Sequence, residues 1–282
     1  MPDPAPVAGS AQLRASEPAS GVFAPAPRPS GWRAGLRLLG TLALVPLYLG
    51  AASLMALACV RVGADLLAGI DPFLPPSRRP FVGAMALARR ALAVDILRQI
   101  FLAGLVLGTA LWRDGAGWRA RLALDRERPN GMRARNLLLI LLLWPLVHIA
   151  WVSATAAYFG TSFGQGTRLS PMLTPAAVAA WLAYVVVLAP FAEELLMRGE
   201  IFRRARAVLG PAATIGLTAA IFALAHVSLP SPSGWGLARP VSLLPLALAL
   251  GILRWRTGRL WPCIALHGWS NLALVAYVLW PE

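Results

Sequence analysis

The feature that most restricts this chain is the length of its apolar runs. Several stretches hold about 20 residues with almost no charge, the length of helix needed to cross the hydrocarbon core of a bilayer. Backbone polar groups find no water in that core, so a chain of this kind must satisfy them inside helices. Of the 282 residues, 58% are apolar and 13% are charged, whereas a soluble domain carries about a quarter charged. The expected fold class is therefore all-α, a polytopic transmembrane helix bundle.

Seven spans are expected, at 38–60, 92–112, 136–159, 175–197, 212–229, 241–255 and 260–280. The apolar stretch 81–91 holds Arg89 and Arg90 and reads either as an interfacial helix or as an extension of the second span. The count accordingly lies between six and eight. Residues 1–35 are rich in Ala, Pro and Ser without hydrophobic periodicity, the composition of a disordered tail. The first apolar run starts near Leu38, too deep for a cleaved signal peptide, and reads as a retained signal anchor. Residues 36–135 form an N-terminal transmembrane region and 136–282 a second one.

The net charge of +14 comes from arginine alone, since the chain has no lysine. These arginines lie between apolar runs, where they set topology and meet anionic headgroups. The bilayer is thus the expected partner and nucleic acid is not. Segment 113–135 has seven arginines, 198–206 has four and 254–259 has three, against one each, Arg168 and Arg239, in the alternate connections. The Arg-rich turns and the N-terminus then face the cytoplasm, although 61–91, with five arginines, breaks the alternation. Cys59 and Cys263 fall inside apolar runs without metal-ligand spacing and read as small core residues. The 11 tryptophans stand mostly near span ends, as interfacial anchors do.

Polar residues within these runs are expensive and usually functional. Glu193 and Glu194 stand together near the end of the fourth span. Glu194 shares a helical face with Arg198 and can pair with it, while Glu193 points about 100° away, free to face a cavity. Gly210-Pro211 reads as a turn, with Glu193 17 residues before Gly210 and His226 16 after it. An antiparallel pair joined there brings both side chains to one depth, roughly 25 Å from the turn. Phe222 lies one turn from His226 and would orient or wall it. In the last span His267 and Asn271 share a face, and the preceding turn is expected at Thr257-Gly258.

One carboxylate, two imidazoles and a carboxamide thus converge from three helices. Glu193 can deprotonate a water that His226 orients. His267 and Asn271 can donate to the oxyanion of a tetrahedral intermediate. Glu193, His226 and His267 could instead hold a zinc ion that lowers the pKa of bound water. No cofactor is required by the sequence, and these residues leave both schemes open. His148 has no partner motif and reads as structural, and Asp95 and Arg98 read as an ion pair on one helix face. No phosphate loop, HExxH or GxSxG occurs.

In this order, Glu193-Glu194-x-x-x-Arg198, Phe222-x-x-x-His226 and His267-x-x-x-Asn271 resemble the motifs of the CPBP family of intramembrane proteases, which includes type II CAAX prenyl endopeptidases and the bacterial Abi proteins. Gly251, Thr257-Gly258 and Pro262 are similar to the family's approach to its final histidine. The resemblance covers about 175–280 within the second transmembrane region. It implies a helical bundle with a catalytic cavity open to the cytoplasm, a catalytic group of Glu193, His226, His267 and Asn271, and support from Glu194 and Arg198. It also implies cleavage of a membrane-anchored or lipidated protein substrate, in CAAX-type processing or bacterial protein sorting, at a bacterial inner membrane. The competing readings are a non-catalytic module for bacteriocin immunity or scaffolding, and a proton-coupled transporter. An intact polar quartet speaks against the first, and the lack of repeated halves or broken helices against the second.

Overall fold

The computed structural model describes residues 31–125, 132–161, 174–227 and 235–279. Of the tail expected over 1–35, residues up to 30 lie outside them, as does the connection bearing Arg168, whereas residues 32–35 already belong to the first helix, because the apolar periodicity extends back to Trp32. Among the described residues every regular element is helical, and the chain is an integral membrane protein built as a helix bundle. Five stretches of the described residues are long and apolar enough to cross a membrane: Trp32–Leu67, Ala84–Arg121, Ala134–Tyr158, Pro175–Arg206 and Gly236–Thr257. Two shorter helices, Pro211–Leu224 and Trp261–Leu279, complete the set of seven expected segments.

Helix α1 (Trp32–Leu67) and helix α2 (Ala84–Asp114) form a hairpin, tied near its middle by Tyr48 Oη and Thr109 Oγ1 at 2.7 Å. The stretch 81–91 is resolved as an extension, since α2 runs unbroken from Ala84. The connection between the helices is clamped by Arg79. Its guanidinium meets the buried Asp65 at 2.6 Å and donates to the carbonyls of Pro72 and Leu74. One of the five arginines that disturb the charge alternation is therefore part of a folded loop.

A short helix α3 (Trp118–Arg121) returns the chain to the bundle. Arg121 reaches Glu200 through Nη2 at 3.1 Å and Nε at 3.2 Å, and also pairs with Asp114. Arg203 and Arg204 close on the same Glu200 carboxylate. Beyond α3, Leu260 N–H donates to the Ala123 carbonyl at 2.9 Å. The apolar core is shared across the chain: Val45, Ala52, Leu102 and Val106 pack with Leu195, Leu196 and Phe222.

Helix α4 (Ala134–Tyr158) is held by indoles. Trp144 Nε1 donates to Ser270 Oγ at 2.8 Å, Trp151 Nε1 to the Val241 carbonyl at 3.0 Å, and Trp269 Nε1 to the Leu141 carbonyl at 2.8 Å. These three tryptophans bond between helices, where the sequence pointed to interfacial anchoring, because an indole N–H taken from water must find an acceptor. His148 is fully buried on α4 and stacks on Trp144 at 5.8 Å.

The stretch Pro175–Arg206 is one rod with two irregularities. Helix α5 (Pro175–Ala183) is capped by Thr174 Oγ1 and has proline at its start. A π-helical segment, Tyr184–Leu188, leads into α6 (Ala189–Glu194), and a second, Leu195–Ile201, leads into α7 (Phe202–Arg206). Pro190 has no N–H to give to Val186, so the ladder must be interrupted here. Helix α8 (Pro211–Leu224) starts at Gly210, as the Gly-Pro turn predicts, but it ends at Leu224. The span expected to reach 229 is therefore cut short, and His226 sits on the turn just beyond it.

Helix α9 (Trp235–Thr257) packs closely on α8, where a Cβ at Gly251 would come within 3.0 Å of Ile215 Cγ2. Gly258 takes a left-handed φ of 64° between α9 and the final helix α10 (Trp261–Leu279), the conformation that the Thr257-Gly258 turn requires. Helix α10 fits the interruption in the rod. Asn271 Nδ2 donates to the Val185 carbonyl at 2.9 Å, and a Cβ added at Gly268 would overlap the Val186 carbonyl oxygen.

Glycine substitutions separate close approach from mere helix propensity. Gly268→Ala is expected to lower the thermal unfolding midpoint in detergent, by the equivalent of about 1–3 kcal/mol. Gly104→Ala, with open space around its Cβ, is expected to leave the midpoint unchanged or raise it.

Candidate active site

Glu193 stands near the end of the short helix α6, between the two π-helical segments, so its side chain leaves the rod on a different bearing from Glu194. Its Oε2 lies 3.9 Å from His226 Nε2 and 4.0 Å from His267 Nε2. The three groups that sequence spacing brought to one depth thus meet around one point. The two imidazoles stand almost equally about the same carboxylate oxygen, a distance suited to one shared water.

Each imidazole is oriented from behind. His226 Nδ1–H donates to the Phe222 carbonyl at 2.8 Å, and His267 Nδ1–H donates to Glu194 Oε1 at 3.0 Å. With Nδ1 occupied in this way, Nε2 of each ring is left to act toward Glu193. Phe222 fixes both rings. It lies 4.7 Å from the His226 ring and 5.6 Å, edge-on, from the His267 ring. The Arg198 guanidinium also lies over Phe222, at 4.8 Å.

Glu194 and Arg198 are both fully buried. Arg198 Nη1 donates to Glu194 Oε1 at 3.0 Å, the i,i+4 pair expected from the sequence, and Nη2 donates to the Ala247 carbonyl of α9 at 2.9 Å. Arg254 Nε in turn donates to the Arg198 carbonyl at 2.9 Å. A buried ion pair is costly unless its polar atoms are met; α9 and α10 supply partners for Arg198 Nη2 and Glu194 Oε1, while Glu194 Oε2 and Arg198 Nε have none among the described residues.

Asn271 lines the same cavity, with one amide hydrogen spent on Val185 and the other not. The cavity measures about 560 Å³, a size that holds a small ligand or several residues of peptide. Its walls are not confined to the motif-bearing helices, since Leu49 and Ser53 of α1 and Gln99 of α2 also face it. Gln99 Nε2 lies 3.3 Å from Glu193 Oε1. The motifs do not include this residue, although an amide within an apolar run is a signal that could have found it. Asp95 and Arg98, one turn away, pair at 3.5 Å as expected.

Among the described residues no group of three or more His, Cys, Asp or Glu side chains is arranged to hold a metal ion. Glu193 Oε2 stands 3.9 and 4.0 Å from the two Nε2 atoms, farther than the ligands of a formed tetrahedral zinc site stand from one another.

The buried pair is open to a direct test. Glu194→Gln removes the countercharge of Arg198 and is expected to destabilise the protein by about 3–5 kcal/mol. In the double variant Glu194→Gln/Arg198→Met much of that loss should return, read as unfolding midpoints in one detergent.

No curated protein matches the chain, and no solved structure matches it. A family match does exist, and it falls on the part of the chain that holds all three motifs. The family Rce1-like, described as Type II CAAX prenyl endopeptidase Rce1-like, matches residues 175–273. This segment runs from the start of α5 past Asn271 and takes in Glu193, Glu194, Arg198, Phe222, His226 and His267. Over residues 175–273 the chain is therefore similar to the Rce1-like type II CAAX prenyl endopeptidases.

Proposed function

We propose that this protein is an intramembrane endopeptidase of the glutamate-activated-water type, acting on a membrane-anchored or lipidated protein substrate. The observation that carries the reading is the meeting of Glu193 Oε2 with two imidazole Nε2 atoms at 3.9 and 4.0 Å inside a cavity. A water at that point hydrogen-bonds to Glu193 and to His226. Glu193 takes its proton as the oxygen attacks the scissile carbonyl carbon. The carbonyl oxygen becomes an oxyanion, which His267, when it carries a proton on Nε2, and the remaining N–H of Asn271 stabilise. Collapse breaks the C–N bond, and the proton held by Glu193 passes to the leaving amine. The products are a carboxylate and a free amine.

Glu194 and Arg198 act from behind, keeping His267 in one tautomer and one orientation. The family match supports CAAX-type processing, in which the cleaved bond lies near a lipidated C-terminus. The Arg-rich turns support a cavity mouth and N-terminus on the cytoplasmic side, at a bacterial inner membrane.

Wild type and Glu193→Ala, produced at equal abundance in a membrane host, are expected to differ in their membrane peptidomes. Fragments that depend on Glu193 should vanish in the variant, and His226→Ala should slow their appearance by about 100-fold to 10,000-fold. Folded variants that yield the same fragments as wild type would sink the reading and favour a non-catalytic module. Chelator is expected to leave the rate unchanged. Loss with chelator and recovery with zinc would move the chemistry to a metal-bound water.

A further inference from the structure

Gln99 lies at the middle of α2, beside Arg98 and among Leu97, Ile100 and Phe101. It is 3% exposed, and its Nε2 donates to Glu193 Oε1 at 3.3 Å. Its own Oε1 is buried with no hydrogen-bond partner among the described residues. The same side chain lines the cavity that holds Glu193, His226 and His267. A half-satisfied buried amide is costly, and leucine or methionine would fill the space more favourably. Packing therefore does not account for it.

The two oxygens of Glu193 divide their tasks. Oε2 faces the imidazoles and Oε1 faces Gln99. A neutral N–H donor holds the carboxylate rotamer without adding a countercharge that would weaken it as a base. Arginine or lysine at position 99 would orient Glu193 equally well but would oppose proton uptake. The nearby cation, Arg98, is instead paired with Asp95.

We propose that Gln99, which stands on α2 outside the segment matched by the family, is a positioning residue of the active site. Its Nε2 fixes the Glu193 carboxylate. The N-terminal hairpin is then a working part of the active site. This inference rests on the reading of Glu193 as the base.

The titratable and charged groups around Glu193 are His226 beyond α8, His267 on α10, Tyr184 on the rod, Asp95 and Arg98 on α2, and Arg239 on α9. Gln99→Leu removes the hydrogen bond to Glu193. It is expected to lower kcat/KM about tenfold to a hundredfold, with the loss in kcat and KM little changed. Gln99→Glu keeps the shape but sets a second carboxyl against Glu193. Two such groups cannot both ionise readily, so the acidic limb of the rate–pH profile should move to higher pH.

The probe is a synthetic peptide spanning the bond cleaved in the Glu193-dependent fragments, assayed with detergent-solubilised full-length protein. Unfolding midpoints confirm that each variant is folded, and Gln99→Glu serves if Gln99→Leu is not. Unchanged kinetics in Gln99→Leu, or an unmoved acidic limb in Gln99→Glu, would overturn the inference while leaving Glu193 as the base. An absence of any Glu193-dependent cleavage would overturn both.

Discussion

The buried Glu194–Arg198 pair is the constraint around which the bundle is assembled. Neither charge has access to water, so both must be met by protein. Arg198 is too wide to be satisfied by its own helix. It draws in the Ala247 carbonyl of α9 and lays its guanidinium on Phe222 of α8. Glu194 draws in His267 of α10. Four helical segments are thereby registered against one another at a single level. The polar group that follows, Glu193 with its two imidazoles, is a consequence of that registration.

The irregular winding of the rod serves the same end. A continuous α-helix from Pro175 to Arg206 would keep every carbonyl engaged and every side chain at 100° spacing. Two π-helical segments on either side of α6 change the bearing of its carboxylates relative to the rest of the rod. Pro190 releases a carbonyl, and α10 meets the exposed backbone through Gly268 and Asn271. One proline, one glycine and one amide thus bring His267 close enough to reach both Glu193 and Glu194.

The N-terminal hairpin is fastened to this arrangement at both ends of the rod's carboxylate region. Arg121 binds Glu200 among Arg203 and Arg204, and Leu122 lies against Gly199, where a Cβ would come within 3.1 Å. Further along, Gln99 touches Glu193 itself. A family match confined to 175–273 therefore describes only part of what encloses the cavity.

Local physics was enough to read the helical class, the approximate place of all seven segments, the turns at Gly210-Pro211 and Thr257-Gly258, and the approach of Glu193 to His226 and His267. Hydropathy over about 20 residues sets a span, proline and glycine punctuate it, and a polar side chain in an apolar run stands out. The pairing of Glu194 with Arg198 was legible for the same reason, being one helical turn apart. Other features emerged only from the packing of helix on helix. Among them are the early stop of α8, the indole bonds made by α4 and α10, and the reach of Gln99 and Arg121 to the rod. Those features depend on which carbonyl or carboxylate a neighbouring helix offers. Such partners lie 79 to 128 residues away in the chain, beyond the reach of any local pattern.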